Sequence, residues 1–226
     1  MIQLRQHLRD ALPEPIHRAQ LAIRRAALMR RAEVIFIHIP KNAGFSINLA
    51  LYGRFMGHYT AREVARYCPG TWRRLPSFAL TRNPWERCLS AYRFAIQTPT
   101  DPSASKAQIA HPHRYTGVEF ASFKSFVQEW LPAEPLSRRD QVFRPQVDYV
   151  TDKAGQQIVD FIGRVDAMAE VEIWLTHMLG KPIEIGHENR SAGAAPANYR
   201  HAYDDQTAEI VSKLYAQDIQ RFGYKF

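Results

Sequence analysis

Lys41, in Pro40-Lys41-Asn42-Ala43-Gly44-Phe45-Ser46, and Arg82, in Arg82-Asn83-Pro84, each follow a short apolar run. In an open parallel sheet, ligands bind beyond the carboxyl ends of strands, where loops lead into helices. Lys41 offers a cation there, Gly44 lets a backbone approach closely, and a helix starting at Ser46 presents unpaired N–H groups. Together they make an anion cradle. The nucleotide-triphosphatase loop, Gly-x-x-x-x-Gly-Lys-Ser/Thr, places its lysine at the helix start instead, and that order is missing here. In the second loop, an arginine at a strand end can hold a phosphate bidentately, and Ser90, eight residues on, can add one hydrogen bond. Taken alone, Arg82 fits a structural ion pair and Ser90 a packing position equally well.

The elements that must position these groups are legible. Val34-Ile35-Phe36-Ile37-His38-Ile39 is apolar and β-branched almost throughout, as a strand buried on both faces requires. Pro40 ends it, and Ser46 is placed to cap a helix reaching about Tyr52. Phe78-Ala79-Leu80-Thr81 repeats the pattern, followed by a helix from Trp85 to about Gln97 with Leu89, Tyr92 and Ile96 near one face. Two strand–loop–helix units predict an α/β fold with a parallel sheet. Residues 98–117, rich in Pro, Ser and His, predict a mobile loop on the acceptor side. Phe120, Phe123, Val127 and Trp130 have helical spacing and predict core. Residues 158–163 predict a further strand, leading to a helix over 167–179. An irregular stretch over 181–200 and a last helix over 204–222 complete the chain. Thr60 and Glu63 have capping-box spacing, and His38, inside a strand, predicts a buried, hydrogen-bonded histidine.

The two loops together carry a resemblance. Phe36-Ile37-His38-Ile39-Pro40-Lys41-Asn42-Ala43-Gly44-Phe45-Ser46 closely resembles the 5′-phosphosulfate loop of sulfotransferases that use 3′-phosphoadenosine-5′-phosphosulfate (PAPS). Thr81-Arg82-Asn83-Pro84-Trp85-Glu86-Arg87-Cys88-Leu89-Ser90-Ala91-Tyr92 resembles their 3′-phosphate motif. Order and separation resemble the carbohydrate-type branch that includes heparan sulfate 2-O-sulfotransferase. Phe143-Arg144-Pro145-Gln146, Phe161-Ile162-Gly163-Arg164 and Phe222-Gly223-Tyr224 are similar to further segments of that branch. Phe45 departs from it, standing where threonine or another small polar residue is usual.

The resemblance implies a P-loop-like three-layer α/β fold over residues 33–226, a central parallel sheet flanked by helices, with residues 1–32 as a basic helical extension. It implies PAPS as co-substrate, 3′-phosphoadenosine-5′-phosphate (PAP) as product, no metal, and an acceptor hydroxyl on a carbohydrate or glycolipid. Donor contacts fall to Lys41, Asn42, Ala43, Gly44, Phe45 and Ser46 at the 5′ end, with Lys41 also stabilising the leaving group. Arg82 and Ser90 hold the 3′-phosphate. His187-Glu188-Asn189-Arg190-Ser191 resembles a late donor-contacting segment, which adds Arg190 and Ser191. His58, between the two motifs, takes the place of the base that removes the acceptor's proton. A histidine pKa of about 6.5 suits that task near neutrality. Arg164 either touches donor or pairs with Asp166 or Glu170.

Charge bounds the alternatives. Of the formal +8, residues 1–31 carry +5, seven arginines against Asp10 and Glu14. The body is only mildly basic, without the interleaved basic and aromatic residues of a nucleic-acid surface. A basic amphipathic helix over 15–31, with Ile16 and Ile23, and Leu21 and Leu28, each seven apart, can pack on its own domain or lie on an anionic membrane face. No stretch of 18 apolar residues is present, residues 1–31 lack the continuous apolar run by which a secretory leader is read, and Cys68 and Cys88 make no disulfide framework. A cytoplasmic enzyme is expected, in peripheral contact at most with the inner membrane face. The competing classes are a P-loop-like kinase, which lacks its Gly-Lys-Ser/Thr, and a non-catalytic nucleotide- or membrane-binding protein. Oligomeric state leaves no signal in the sequence.

Overall fold

A computed structural model of the chain describes residues 14–97, 109, 111–186 and 198–226. Three strands, β1 (Ile35–Ile37), β2 (Ser77–Thr81) and β3 (Phe161–Arg164), form a parallel sheet in the order β1-β2-β3. Phe36 pairs with Phe78, Ala79 with Ile162, and Thr81 with Arg164. All residues of β1 and β2 are buried. Their β-branched and aromatic side chains are what a pleated strand covered on both faces selects. The expected mixed α/β architecture, a parallel sheet flanked by helices, is therefore present.

Helix α1 (Glu14–Ala32) precedes the sheet, α2 (Gly44–Tyr52) follows β1, and α3 (Ala61–Tyr67) follows α2. Helix α4 (Pro84–Gln97) follows β2 and α5 (Met168–Leu179) follows β3. The chain ends in α6 (Asp205–Leu214) and α7 (Ala216–Phe222). Two apolar clusters result. One gathers Ala22, Ala26 and Met29 of α1 with the sheet, Ile47, Val64, Val171 and Leu175. The other gathers Trp85, Leu89 and Tyr92 of α4 with Phe120, Phe126, Val127, Leu131, Phe143 and Val211. No described helix is long and apolar enough to cross a membrane.

Several elements differ from expectation for local reasons. Ser46 does not cap α2; the helix starts at Gly44 after Ala43 in the left-handed conformation, and Ser46 lies inside its first turn. Ile96 is exposed, and Ala95 takes the inward position after Tyr92. The strand near residue 160 begins at Phe161, because Asp160 turns back to bind Ser77 through its carboxylate. The final helix is two helices, broken at Tyr215, whose buried hydroxyl donates to the Phe143 carbonyl at 2.8 Å. Within the segment read as mobile, residues 98–108 and 110 lie outside the described residues. Its end is a 3-10 turn, Pro112–Tyr115, pinned where Tyr115 Oη donates to Asp140 at 2.7 Å.

Candidate functional site

Lys41 and Ala43 have φ of 69° and 55°. Two non-glycine residues in the left-handed region, either side of Asn42, alternate the backbone curvature as in an anion-binding nest. Such strain persists only where surrounding contacts enforce it, and here Asn42 does so. It is 1% exposed, and its Nδ2 donates to the Leu80 carbonyl at 2.6 Å and to Gln146 Oε1 at 2.7 Å. The Asn42 side chain thus faces the protein, and what it offers a ligand is main chain. Gly44 packs on His38, where a Cβ would fall inside the imidazole. That is a second reason for a glycine, beyond backbone approach. Phe45 projects outward from the first turn of α2, 43% exposed.

The Lys41 ammonium lies over the Phe94 ring at 4.3 Å. Its pKa is brought down to about 8 by burial first, then by Arg82 and Arg87. Three cations meeting in a partly desolvated place make a site for an anion. Arg82 donates from Nη1 to the Lys41 carbonyl at 3.1 Å and from Nη2 to Glu86 at 2.7 Å, while its buried Nε has no hydrogen-bond partner. Glu86, Ser90 and Phe94 follow at four-residue intervals, so α4 presents them along one stripe. This puts half-buried Ser90 between the Arg82–Glu86 pair and the Lys41–Phe94 contact.

Arg87 is 2% exposed and donates to the carbonyls of Pro40, Arg144 and Val142 at 3.0, 2.9 and 3.2 Å. It holds the first loop against residues 142–144 and contributes positive charge without facing solvent. Neither this role nor that of Gln146 was read from the sequence. The signal for Arg87 was its position on the buried face of α4, shared with Ala91 and Ala95.

His58 stands beside His38, ring centroids 4.3 Å apart, and its Nδ1 is 3.1 Å from the His38 carbonyl. A carbonyl only accepts, so Nδ1 carries the proton, and in the neutral ring the basic lone pair lies on Nε2. His38 is buried, its Nδ1 accepting from Asn48 Nδ2 at 3.1 Å. Burial, then His58, then Lys41 hold its pKa well below the usual histidine value, so it stays neutral. The segment carrying His58 is fixed from three sides. Arg25 of α1 donates to Tyr59 Oη at 2.9 Å, Gln141 donates to the His58 carbonyl at 3.2 Å, and Thr60 and Glu63 close the expected capping box.

The fold thus brings together Lys41, the left-handed loop, Arg82, Ser90 and, through His38, His58. Arg164 is engaged elsewhere, paired through two nitrogens with Asp166 at 3.1 Å and stacked over Tyr224 at 4.1 Å. Arg190 and Ser191 lie outside the described residues. An imidazole beside a cationic cradle is an arrangement suited to transfer of an anionic group to a hydroxyl. In comparison with known proteins, residues 25–225 match the family model described as Sulfotransferase family. No curated protein and no solved structure matches the chain.

Proposed function

The chain belongs to the sulfotransferase family, and from that premise we propose that it moves a sulfuryl group from PAPS to an acceptor hydroxyl on a carbohydrate or glycolipid, with His58 as base. The observation that carries the proposal is the convergence of Lys41, Arg82 and Arg87 on one loop, where Arg82 donates to the Lys41 carbonyl and Arg87 to that of Pro40. Burial first, and then these two charges, bring the Lys41 ammonium down to about 8. The fit to the donor is chemical. Lys41 and the loop through Ser46 offer a cation and main-chain N–H groups to a 5′-phosphosulfate. Arg82, whose side chain is 24% exposed, and half-buried Ser90 offer donors to a 3′-phosphate.

The residues then divide the work. Lys41 balances charge on the bridging oxygen as the sulfur–oxygen bond to the 5′-phosphate breaks, and it needs no metal to do so. His58 Nε2 accepts the proton as the acceptor oxygen forms its new bond to sulfur, giving a sulfate ester, PAP and a proton. Positioning and electrostatics supply most of the acceleration, as in phosphoryl transfer. The enzyme would act in the cytoplasm, where the outward side of α1, with Ile16, Ile23 and Arg24 exposed, suits peripheral contact with an anionic surface.

Calorimetric titration with PAP, 5′-AMP and ATP tests the donor assignment. PAP is expected to bind at least about tenfold more tightly than 5′-AMP, the worth of one charge-assisted phosphate contact. Equal affinity for the two would refute the assignment, and tighter binding of ATP would favour a kinase.

A further inference from the structure

Gln146 lies in neither anion-binding loop, yet it holds both. Its Oε1 accepts from Asn42 Nδ2 at 2.7 Å and from the Arg82 N–H at 2.9 Å, while its Nε2 donates to the Arg82 carbonyl at 2.8 Å. A glutamine amide has two lone pairs and two hydrogens to offer, and three of these four positions go to the two loops. Its own main chain is anchored in turn. Asp218 of α7, fully buried, accepts from the N–H groups of Gln146 and Val147 at 2.8 and 2.9 Å.

We propose that Gln146 is the positioning residue that sets the separation between the two anion-binding loops, and so makes the site selective for a nucleotide carrying both a 3′- and a 5′-phosphate. The proposal rests on the donor reading given above. Gln146 is 0% exposed, so it touches no ligand and acts through Asn42 and Arg82. Binding the N–H and the carbonyl of Arg82 with one amide fixes the backbone there, and with it the direction in which the guanidinium leaves the strand. The bond to Asn42 fixes the turn between the two left-handed residues. A ligand whose two phosphates are joined by a ribose gains from both loops at once only when their spacing is preset. A monophosphate meets one loop and is indifferent to that spacing.

The test is titration of PAP, 5′-AMP and 3′-AMP into the wild-type protein and into Gln146→Met, which keeps length and volume but loses all three hydrogen bonds. PAP is expected to weaken by about 10- to 100-fold, and by a clearly larger factor than either monophosphate, which loses only the order of the one loop it meets. Unchanged PAP affinity, or equal weakening of all three nucleotides, overturns the proposal. A wild-type protein that prefers neither PAP nor 5′-AMP overturns the donor reading first, and the proposal with it. If Gln146→Met does not fold, Gln146→Asn carries the same test. It keeps an uncharged amide but is one methylene shorter, so it cannot span both loops, and it is expected to show the same selective loss.

Discussion

Lys41 holds its charge against its surroundings, and this gives the site a pH dependence of definite sign. Burial and the two neighbouring guanidinium groups bring its pKa to about 8 in the ligand-free protein. An anion in the cradle opposes those effects and returns Lys41 toward the ordinary lysine value of about 10.4. Above pH 8, binding must then take up a proton. PAP affinity is expected to be flat below pH 8 and to fall as pH rises through it. Lys41→Arg, charged throughout, is expected to lose that fall. Calorimetry in two buffers of different ionisation enthalpy measures the proton directly, and zero uptake at every pH would contradict the assignment. For folding the sign is reversed: the charged form is disfavoured in the native state, so Lys41 costs stability below pH 8 and less as pH rises toward the unfolded value. Lys41 and Arg82 are legible as cations after strands. Arg87 and Gln146 are not, because they bind main-chain groups whose availability is decided only when the loops fold.

At the scale of elements, α1 has a clearer part than its charge suggests. Its inner face joins the main apolar cluster through Ala22, Ala26 and Met29. Arg25 reaches from that face to Tyr59, the residue after His58, and Arg30 reaches Thr71. Packing on its own domain was one of the two sequence readings, but the partner of Arg25 had no one-dimensional signature. Arg25→Ala is expected to lower kcat by about tenfold through misplacement of His58, leaving PAP affinity unchanged. His58→Ala is expected to lower kcat by about 10²- to 10⁴-fold, again with PAP binding intact. If Arg25→Ala weakened PAP as much as turnover, α1 would be serving the whole fold rather than this loop. Element boundaries were less legible than element existence. The start of α2 depends on a left-handed Ala43 that no propensity favours, and the break at Tyr215 on a hydroxyl reaching a distant carbonyl.

Across the whole molecule, the site lies on a polar seam between the two apolar clusters. Gln146 stands between Phe143, in the α4 cluster, and Tyr149, in the sheet cluster. Arg87 bonds Pro40 on one side and Val142 and Arg144 on the other. A seam of hydrogen-bonded polar groups separates more readily than a continuous apolar core, so sub-global opening is expected along it. A ligand held by the loop after β1 and by Ser90 of α4 would tie the two sides together. Present at 100 times its dissociation constant, PAP should stabilise the native state by about 2.7 kcal/mol. At 2–4 °C per kcal/mol for a chain of this size, the thermal midpoint should rise by roughly 5–10 °C. Any ligand bound only to the native state gives such a shift, so the diagnostic is where amide exchange slows. PAP is expected to protect β1 and α4 alike, since opening the seam exposes both, whereas 5′-AMP should protect chiefly the loop at 41–46 and α2. Protection by PAP confined to α2, with α4 exchanging as before, would mean that the second loop does not share the ligand and that the clusters open independently.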